Sequence, residues 1–270
     1  MFMLVSPCHG YVCPVLSIQL NLSFQQTVFP LYGLGYQLID ESVGVLFNDN
    51  RRMILHSNQN HIQAIEEDMV REKMTTAKEI ELNFKVSEQK YAKESQIRNS
   101  NPRIADEEKF MKLDSDFRQS KDLNKKYKLL KHFRQYMIAH LVTAGDEYKI
   151  TSIDDLRRLP YLVKWFRTKH AICLMLTNGI VQINFFSCHS KLIFDPSVEA
   201  VTYINDKKQL TTFNIKNMQK TGIDTKFFMK LVEGKNLVVS LYKNLHPNSG
   251  ITGKMIDSGG SLVASLAKAN

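Results

Sequence analysis

An internal repeat constrains this chain more than any other feature. The segment Leu38–Leu55 lies without gaps on Leu176–Ile193. Val43, Val45 and Phe47 then fall on Val181, Ile183 and Phe185, and Ile54 and Leu55 fall on Leu192 and Ile193. Both copies read as a strand, a turn containing Asp or Asn, a strand with alternating faces and a second apolar strand. In the second copy Asn178-Gly179 is a strong hairpin signal. Copies so far apart are not the short-period units of a solenoid, so two homologous small domains are expected.

Each copy is followed by a helical pattern. Leu129, Leu130, Phe133, Met137, Leu141 and Ala144 recur at helical spacing, with Gly145 where a C′ glycine belongs. After the second copy, Phe227, Phe228, Leu231 and Val232, then Val238, Val239, Tyr242 and Leu245, are expected to line one face, and Gly234 costs that helix about 1 kcal/mol. Each unit is thus an antiparallel meander closed by a helix, which is an α+β architecture.

From about Thr75 to Lys125 the chain is rich in Lys, Glu, Gln, Ser and Asn and shows no continuous apolar face. Ile80, Leu82, Phe84 and Val86 alternate as one strand would. Residues from about Ser87 to Leu123 suit a solvated helix or a disordered insertion, expected to be mobile and dispensable for folding. Residues 146–160 read as a linker, with Thr151–Asp155 as a helix start, and residues 246–270 as a flexible tail. Residues 1–31 are apolar but are interrupted by Pro7, Pro14 and Pro30, short of the roughly 20 apolar residues a membrane helix needs. No Lys or Arg precedes Arg51, as a signal peptide would require. No membrane association is expected.

Cys8, Cys13, Cys173 and Cys188 have no framework spacing, which fits reduced thiols. Cys8, His9 and Cys13 lack a second ligand pair, so neither a metal nor a cofactor is expected. With 36 Lys+Arg against 27 Asp+Glu the formal charge is +9, which favours anionic partners or describes a merely solvated basic surface. The lysines of Lys121–Lys131 have no interleaved stacking aromatics beyond Tyr127, so no nucleic-acid partner is expected. Catalytic patterns fail on specifics. Gly33-Leu34-Gly35 lacks the third glycine of a kinase loop, and the chain has no Asp-Phe-Gly. In the P-loop-like run ending Gly253-Lys254, Asn248 replaces the first glycine and Met255 the Ser/Thr. Cys188 and His189 are adjacent, so on a strand they would face apart. A non-catalytic binding module is expected, with no catalytic residues.

Several longer motifs carry a resemblance. Tyr32–Leu38 (YGLGYQL), Ser42–Asp49 (SVGVLFND), Leu159–Leu162 (LPYL), Trp165–Thr168 (WFRT) and Val181–Phe186 (VQINFF) closely resemble the C-terminal polo-box region of polo-like kinases. The resemblance covers Tyr32 to Leu245 apart from the charged insertion. It implies two polo boxes, residues 32–145 and 161–245, each a six-stranded antiparallel sheet with one packed helix. It implies that they bind a phosphoserine or phosphothreonine peptide between them, and because each has few residues for a core of its own the two boxes are expected to form one cooperative unit. Family partners are phosphorylated proteins of the cytoplasm and nucleus, met at centrosomes, kinetochores and the spindle. A kinase domain in a full-length parent is a further implied partner.

The family's phosphate-binding His-x-Lys pair matches His189 and Lys191. Residues two apart on a strand share a face, so an imidazole and an ammonium can converge on one phosphate through charge-assisted hydrogen bonds. Taken alone, His-Ser-Lys would read as an exposed polar strand end. By the same resemblance Leu141, Val142, Asn184 and Phe186 line the peptide cleft and Tyr136 borders an apolar side pocket. Plain core packing is the competing reading for Leu141, Phe186 and Tyr136. Trp165 and Arg167 are taken as structural. The family's serine-selecting tryptophan would fall on Gln25, and Trp165 is the chain's only tryptophan. The family's N-terminal cap is not recognisable in residues 1–31. The open alternatives are the C-terminal part of a complete polo-like kinase and a degenerate scaffold that no longer binds phosphate.

Overall fold

The computed structural model describes residues 32–38, 42–100, 107–140, 158–207, 209–217 and 224–245. They fall into two compact units that meet at Leu159/Pro160 in the chain. In the first, strands β1 (Gly33–Gln37), β2 (Val43–Phe47), β3 (Arg52–Leu55), β4 (His61–Ile65) and β5 (Glu72–Thr76) form an antiparallel meander in sequence order. Helices α1 (Ala77–Ser100) and α2 (Glu107–His140) follow. In the second, β6 (Leu162–Arg167), β7 (Ala171–Leu176), β8 (Val181–Phe185), β9 (Lys191–Asp195), β10 (Ala200–Ile204) and β11 (Leu210–Asn214) form another meander, followed by α3 (Thr225–Leu245).

The α+β architecture and the repeat stand, with three corrections. The first unit shows five strands among the described residues, where six were expected, and two helices where one was expected. Asn178-Gly179 does turn the β7–β8 hairpin: Gly179 has φ +83° and the Ile180 N–H donates to Asn178 Oδ1 at 3.2 Å. The gapless alignment holds through β2 and β8 but slips at the next strand. Phe47 N–H bonds the Arg51 carbonyl across Asn48–Asn50, whereas Phe185 N–H bonds the Ser190 carbonyl across Phe186–His189. The second turn is one residue longer. The core residues of β3 are therefore Met53 and Leu55, and their counterparts in β9 are Leu192 and Phe194. A single inserted residue inverts which side chains face the helix, because the strand period is two.

The charged insertion is the second correction. Residues 80–86 form a helix and not a strand. Thr76 and Glu79 make a capping box: the Glu79 N–H donates to Thr76 Oγ1 at 3.2 Å, and the Thr76 N–H donates to Glu79 Oε2 at 2.9 Å. Ile80 is 2% exposed and Leu82 60% exposed, the split of helical spacing and not of alternation. Beyond them α1 and α2 pack as a hairpin along an aromatic seam. Tyr91 stacks on Phe117 at 4.6 Å, Phe84 stacks on Phe117 at 6.2 Å, and Tyr91 lies 5.7 Å from Phe110. Arg98 covers Phe110 at 4.6 Å and reaches Glu107 at 3.3 Å. The expected helix is there; the expected lack of any packing face is not.

Core packing of the helices gives the third correction. On α2, Leu130, Phe133 and Met137 are buried against the sheet, while Leu141, Ala144 and Gly145 lie outside the described residues. On α3, Phe227, Val238 and Leu241 are buried but Phe228 is 48% and Val232 39% exposed, so the inward stripe is narrower than expected. Gly234 belongs to that stripe. A Cβ there would meet Leu192 Cδ1 at 2.8 Å, with Ile183 and Phe194 at 3.4 Å. In the first unit the roles reverse: Gly35 on the strand makes room for Phe133 of the helix, whose ring carbons would lie 2.8–3.3 Å from an added Cβ. Each unit thus brings helix and sheet together over one glycine.

The end of the expected linker is tied to the first sheet. Leu159 N–H donates to Gln63 Oε1 at 3.0 Å, Gln63 Nε2 donates to the Leu159 carbonyl at 3.2 Å, and Arg158 pairs with Glu72. Residues 1–31, 141–157 and 246–270, with the helix start expected at Thr151–Asp155, lie outside the described residues. Among the described residues no helix is long and apolar enough to cross a membrane, and no group of His, Cys, Asp and Glu could hold a metal ion.

Candidate functional site

Four of the expected site residues stand on one turn and its flanking strands in the second unit. β8 ends at Phe185, the chain reverses through Phe186–Ser190, and β9 begins at Lys191. Asn184 and Lys191 are cross-strand partners, and Lys191 also pairs with Ile204 of β10. Leu192 and Phe194 point to the helix-covered core, so by strand alternation Lys191 and Asn184 belong to the opposite face.

His189 is not on the strand. It lies in the turn at φ +51°, left-handed, and is exposed. Asn50, at φ +61°, ends the corresponding turn of the first unit, so the turn itself demands this backbone. His and Asn tolerate it better than most residues do. Strand spacing therefore does not align His189 with Lys191. What joins them is Ser190, which is 1% exposed and anchored by its carbonyl to Phe185 N–H at 2.9 Å. With Ser190 fixed inside, the imidazole stands at the turn's surface and the half-buried Lys191 follows directly on the sheet.

The turn's other members are held as firmly. Ser190 Oγ and Cys188 Sγ are 2.9 Å apart. Burial raises the Cys188 thiol pKa, but the Ser190 hydrogen bonds and the Lys230 ammonium outweigh it and hold the thiol below its usual range. Asn184 Oδ1 accepts a 2.7 Å bond from Gln182 Nε2 in a buried amide pair. Phe186 is half-buried; its N–H donates to the His170 carbonyl at 2.8 Å, and the Arg167 guanidinium covers its ring at 4.8 Å.

That backbone bond brings a second turn, Thr168–His170, beside the first, and sequence reasoning missed its contribution. Lys169 and His170 are exposed there, and Arg167 precedes them. Neither turn contains an Asp or Glu. This end of the sheet therefore presents Arg167, Lys169, His170, His189 and Lys191, with the exposed Asp206 of the β10–β11 turn beyond Lys191. The hairpin register was the signal: pairing Ala171 with Phe185 places the two turns at the same end. Chemically this edge suits an anion, for which it supplies two imidazoles, two ammonium groups and a guanidinium.

The remaining expected site residues are not on this turn. Tyr136 is on α2 of the first unit, half-buried and packed against its core. Leu141 and Val142 lie outside the described residues. Trp165 is half-buried on β6 opposite Leu174.

Comparison with known proteins agrees with this architecture. The family model described as the POLO box duplicated region matches residues 31–94 and 168–227, one match in each unit. The chain is 39% identical over 210 residues to serine/threonine-protein kinase plk-1 of Caenorhabditis elegans, covering 78% of this chain and 26% of that one. It is 34% identical over 200 residues to serine/threonine-protein kinase polo of Drosophila melanogaster, covering 74% of this chain and 28% of that one. The chain thus spans about a quarter of the length of the curated relatives it matches. Among solved structures it resembles the budding yeast Cdc5 polo-box domain in complex with Spc72 phosphopeptide, with a TM-score of 0.53, 17% identity and coverage of 90% of this chain and 75% of that one. It also resembles Cdc5 in complex with the Dbf4 polo-interacting region, with a TM-score of 0.53, 18% identity and coverage of 93% and 79%. Two matched repeats, two meanders with their helices and a kinase relative at 39% identity lead to one conclusion: the chain belongs to the polo-box family, as the duplicated polo-box region of the polo-like kinase type.

Proposed function

We propose that the chain is a phosphoserine/phosphothreonine-peptide binding module, in which His189 and Lys191 hold the phosphate and Asn184, Phe186, Leu141, Val142 and Tyr136 line the peptide site. The observation that carries this reading is the group of cationic side chains on the two adjacent turns, with an exposed imidazole fixed by a left-handed turn and an ammonium on the next strand. The phosphopeptide in the Cdc5 complex supports it by likeness of fold. Partners on this reading are phosphorylated proteins of dividing cells, in cytoplasm and nucleus. Because the chain spans about a quarter of its kinase relatives, a longer parent carrying a kinase domain is the second reading. An in-frame kinase domain in the upstream coding sequence would decide for it.

Calorimetric titration of matched phospho and plain peptides tests the site. Hydrogen bonds to charged groups contribute about 1.5–3 kcal/mol each, so His189→Ala with Lys191→Met should weaken phosphopeptide binding by about two to four orders of magnitude. The fold should persist, since His189 is exposed and Lys191 only half-buried. With Gln25 at the family's tryptophan position, the wild type should care little about a serine preceding the phosphoresidue. Equal wild-type affinity for both peptides would leave a scaffold that has lost its ligand.

A further inference from the structure

We propose that the outer face of α2 carries a second docking site, a lysine stripe of Lys121, Lys125, Lys128 and Lys131 that takes a short acidic peptide segment. The site goes beyond the phosphate-binding reading and does not depend on it. These residues are spaced four, three and three apart, which on a helix sets them in one band along about 15 Å of axis. All four are exposed, as is His132 beside them. The opposite side of the same turns is the buried one, carrying Tyr127, Leu130 and Phe133.

The neighbouring Lys126 shows what a lysine of this helix does when the fold has a use for it. Its ammonium is buried between Asp49 and Asp122, and Asp122 is also bound by Arg51 at 3.0 Å. The stripe lysines form no ion pair among the described residues. Lys121 and Lys131 rest only over the Phe117 and Tyr127 rings, at 5.7 and 5.5 Å. Like charges three and four residues apart on a helix repel one another, and the carboxylate within that reach of the stripe, Asp122, is already engaged by Lys126 and Arg51. A carboxylate-rich ligand would relieve that repulsion and meet complementary charge.

The surroundings select among polyanions. The band bears no exposed aromatic for stacking bases, since Tyr127 is 4% exposed and Phe117 belongs to the seam. Of the guanidiniums flanking it, Arg118 is already held by Asp114 at 2.8 Å and Arg134, three residues past Lys131, is half-buried. Point charges without forks or stacking platforms suit carboxylates better than a nucleic-acid strand. The apolar side of α2 is spent on the core, which leaves nothing to enter a bilayer. Toward the helix N-terminus the sign changes: Asp114 and the exposed Glu107 follow the stripe, so a long polyanion would meet like charge. A segment of two or three acidic turns fits the length between.

The test is fluorescence anisotropy with a labelled octaglutamate peptide and the full chain, at low and at physiological salt. Wild type should bind, with affinity falling as salt rises. Removing three exposed charge pairs and putting repelling carboxylates in their place, Lys121→Glu with Lys125→Glu and Lys128→Glu should weaken binding by about tenfold or more. The matching Lys→Gln variant, gentler on the helix, should fall between. The His189→Ala/Lys191→Met variant should bind octaglutamate as wild type does, which separates this site from the phosphate turn. Unchanged affinity in both stripe variants would overturn the proposal, as would loss of binding in the phosphate-turn variant. Tighter binding of a 20-base-pair duplex or of anionic vesicles than of octaglutamate would overturn the choice of ligand.

Discussion

His189 and Cys188 are sequence neighbours in one turn with opposite assignments: the imidazole faces solvent, while the thiol packs back against Ser190. The two described cysteines differ just as sharply. Burial pushes the Cys173 thiol up to about 12, whereas hydrogen bonds and Lys230 hold Cys188 below its usual value despite its partial burial. Thiolate is the reacting form. Brief iodoacetamide treatment of the native protein near pH 8 should therefore alkylate Cys188 well before Cys173, as read by mass spectrometry of the digested peptides. Comparable labelling of the two would mean that the Ser190 contact does not persist in solution. None of this was legible in the sequence, where both cysteines sit in apolar or strand-like segments. The difference arises from one turn residue that tucks inward.

Among the elements, α1 shows how a local signal is outvoted and then recovered. Ile80, Leu82, Phe84 and Val86 alternate as a strand would, but Thr76 and Glu79 are a capping box, and the helix they start won. Thr76→Ala should cost about 1 kcal/mol, measured by chemical denaturation. The carboxylate adds a pH dependence. Hydrogen bonds from the Thr75 hydroxyl and the Thr76 N–H hold the Glu79 pKa below its ordinary value. A depressed folded-state pKa stabilises above the unfolded pKa, and that contribution disappears as pH falls through the folded value. The stability difference between wild type and Glu79→Gln should therefore be present at neutral pH and vanish on acidification. A difference that grows in acid would exclude the capping role.

For the molecule as a whole, the α1–α2 hairpin divides into a part that builds the first core and a part that packs only on itself. Ile80, Tyr127, Leu130, Phe133 and Met137 belong to the core cluster, whereas Phe84, Tyr91, Phe110 and Phe117 make the seam and do not. Replacing residues 84–117 with a short Gly/Ser loop should leave the sheet cooperative and the phosphopeptide affinity unchanged. Thermal unfolding and the calorimetric titration read both. Loss of folding would show that the seam supports the first unit. Mobility of the insertion's described helical parts, by contrast, is no longer expected, because their aromatic side chains are paired.

What the sequence determined by itself was whatever rests on short-range regularity: two copies of a strand pattern, the Asn178-Gly179 turn, the family motifs and the residue types of the proposed phosphate site. These are legible because a strand's period, a turn's backbone and a motif's spacing are local properties. Tertiary structure alone decided where the repeat slips. One extra residue between Phe185 and Lys191 moves Leu192 and Phe194 into the core and carries His189 off the strand into a left-handed turn. It also decided that Lys169 and His170 stand beside that turn, and that Gly234, a defect when α3 is considered alone, is where helix and sheet meet. Each of these depends on register between segments distant in sequence. Pairing energies and excluded volume set that register only once the sheet exists.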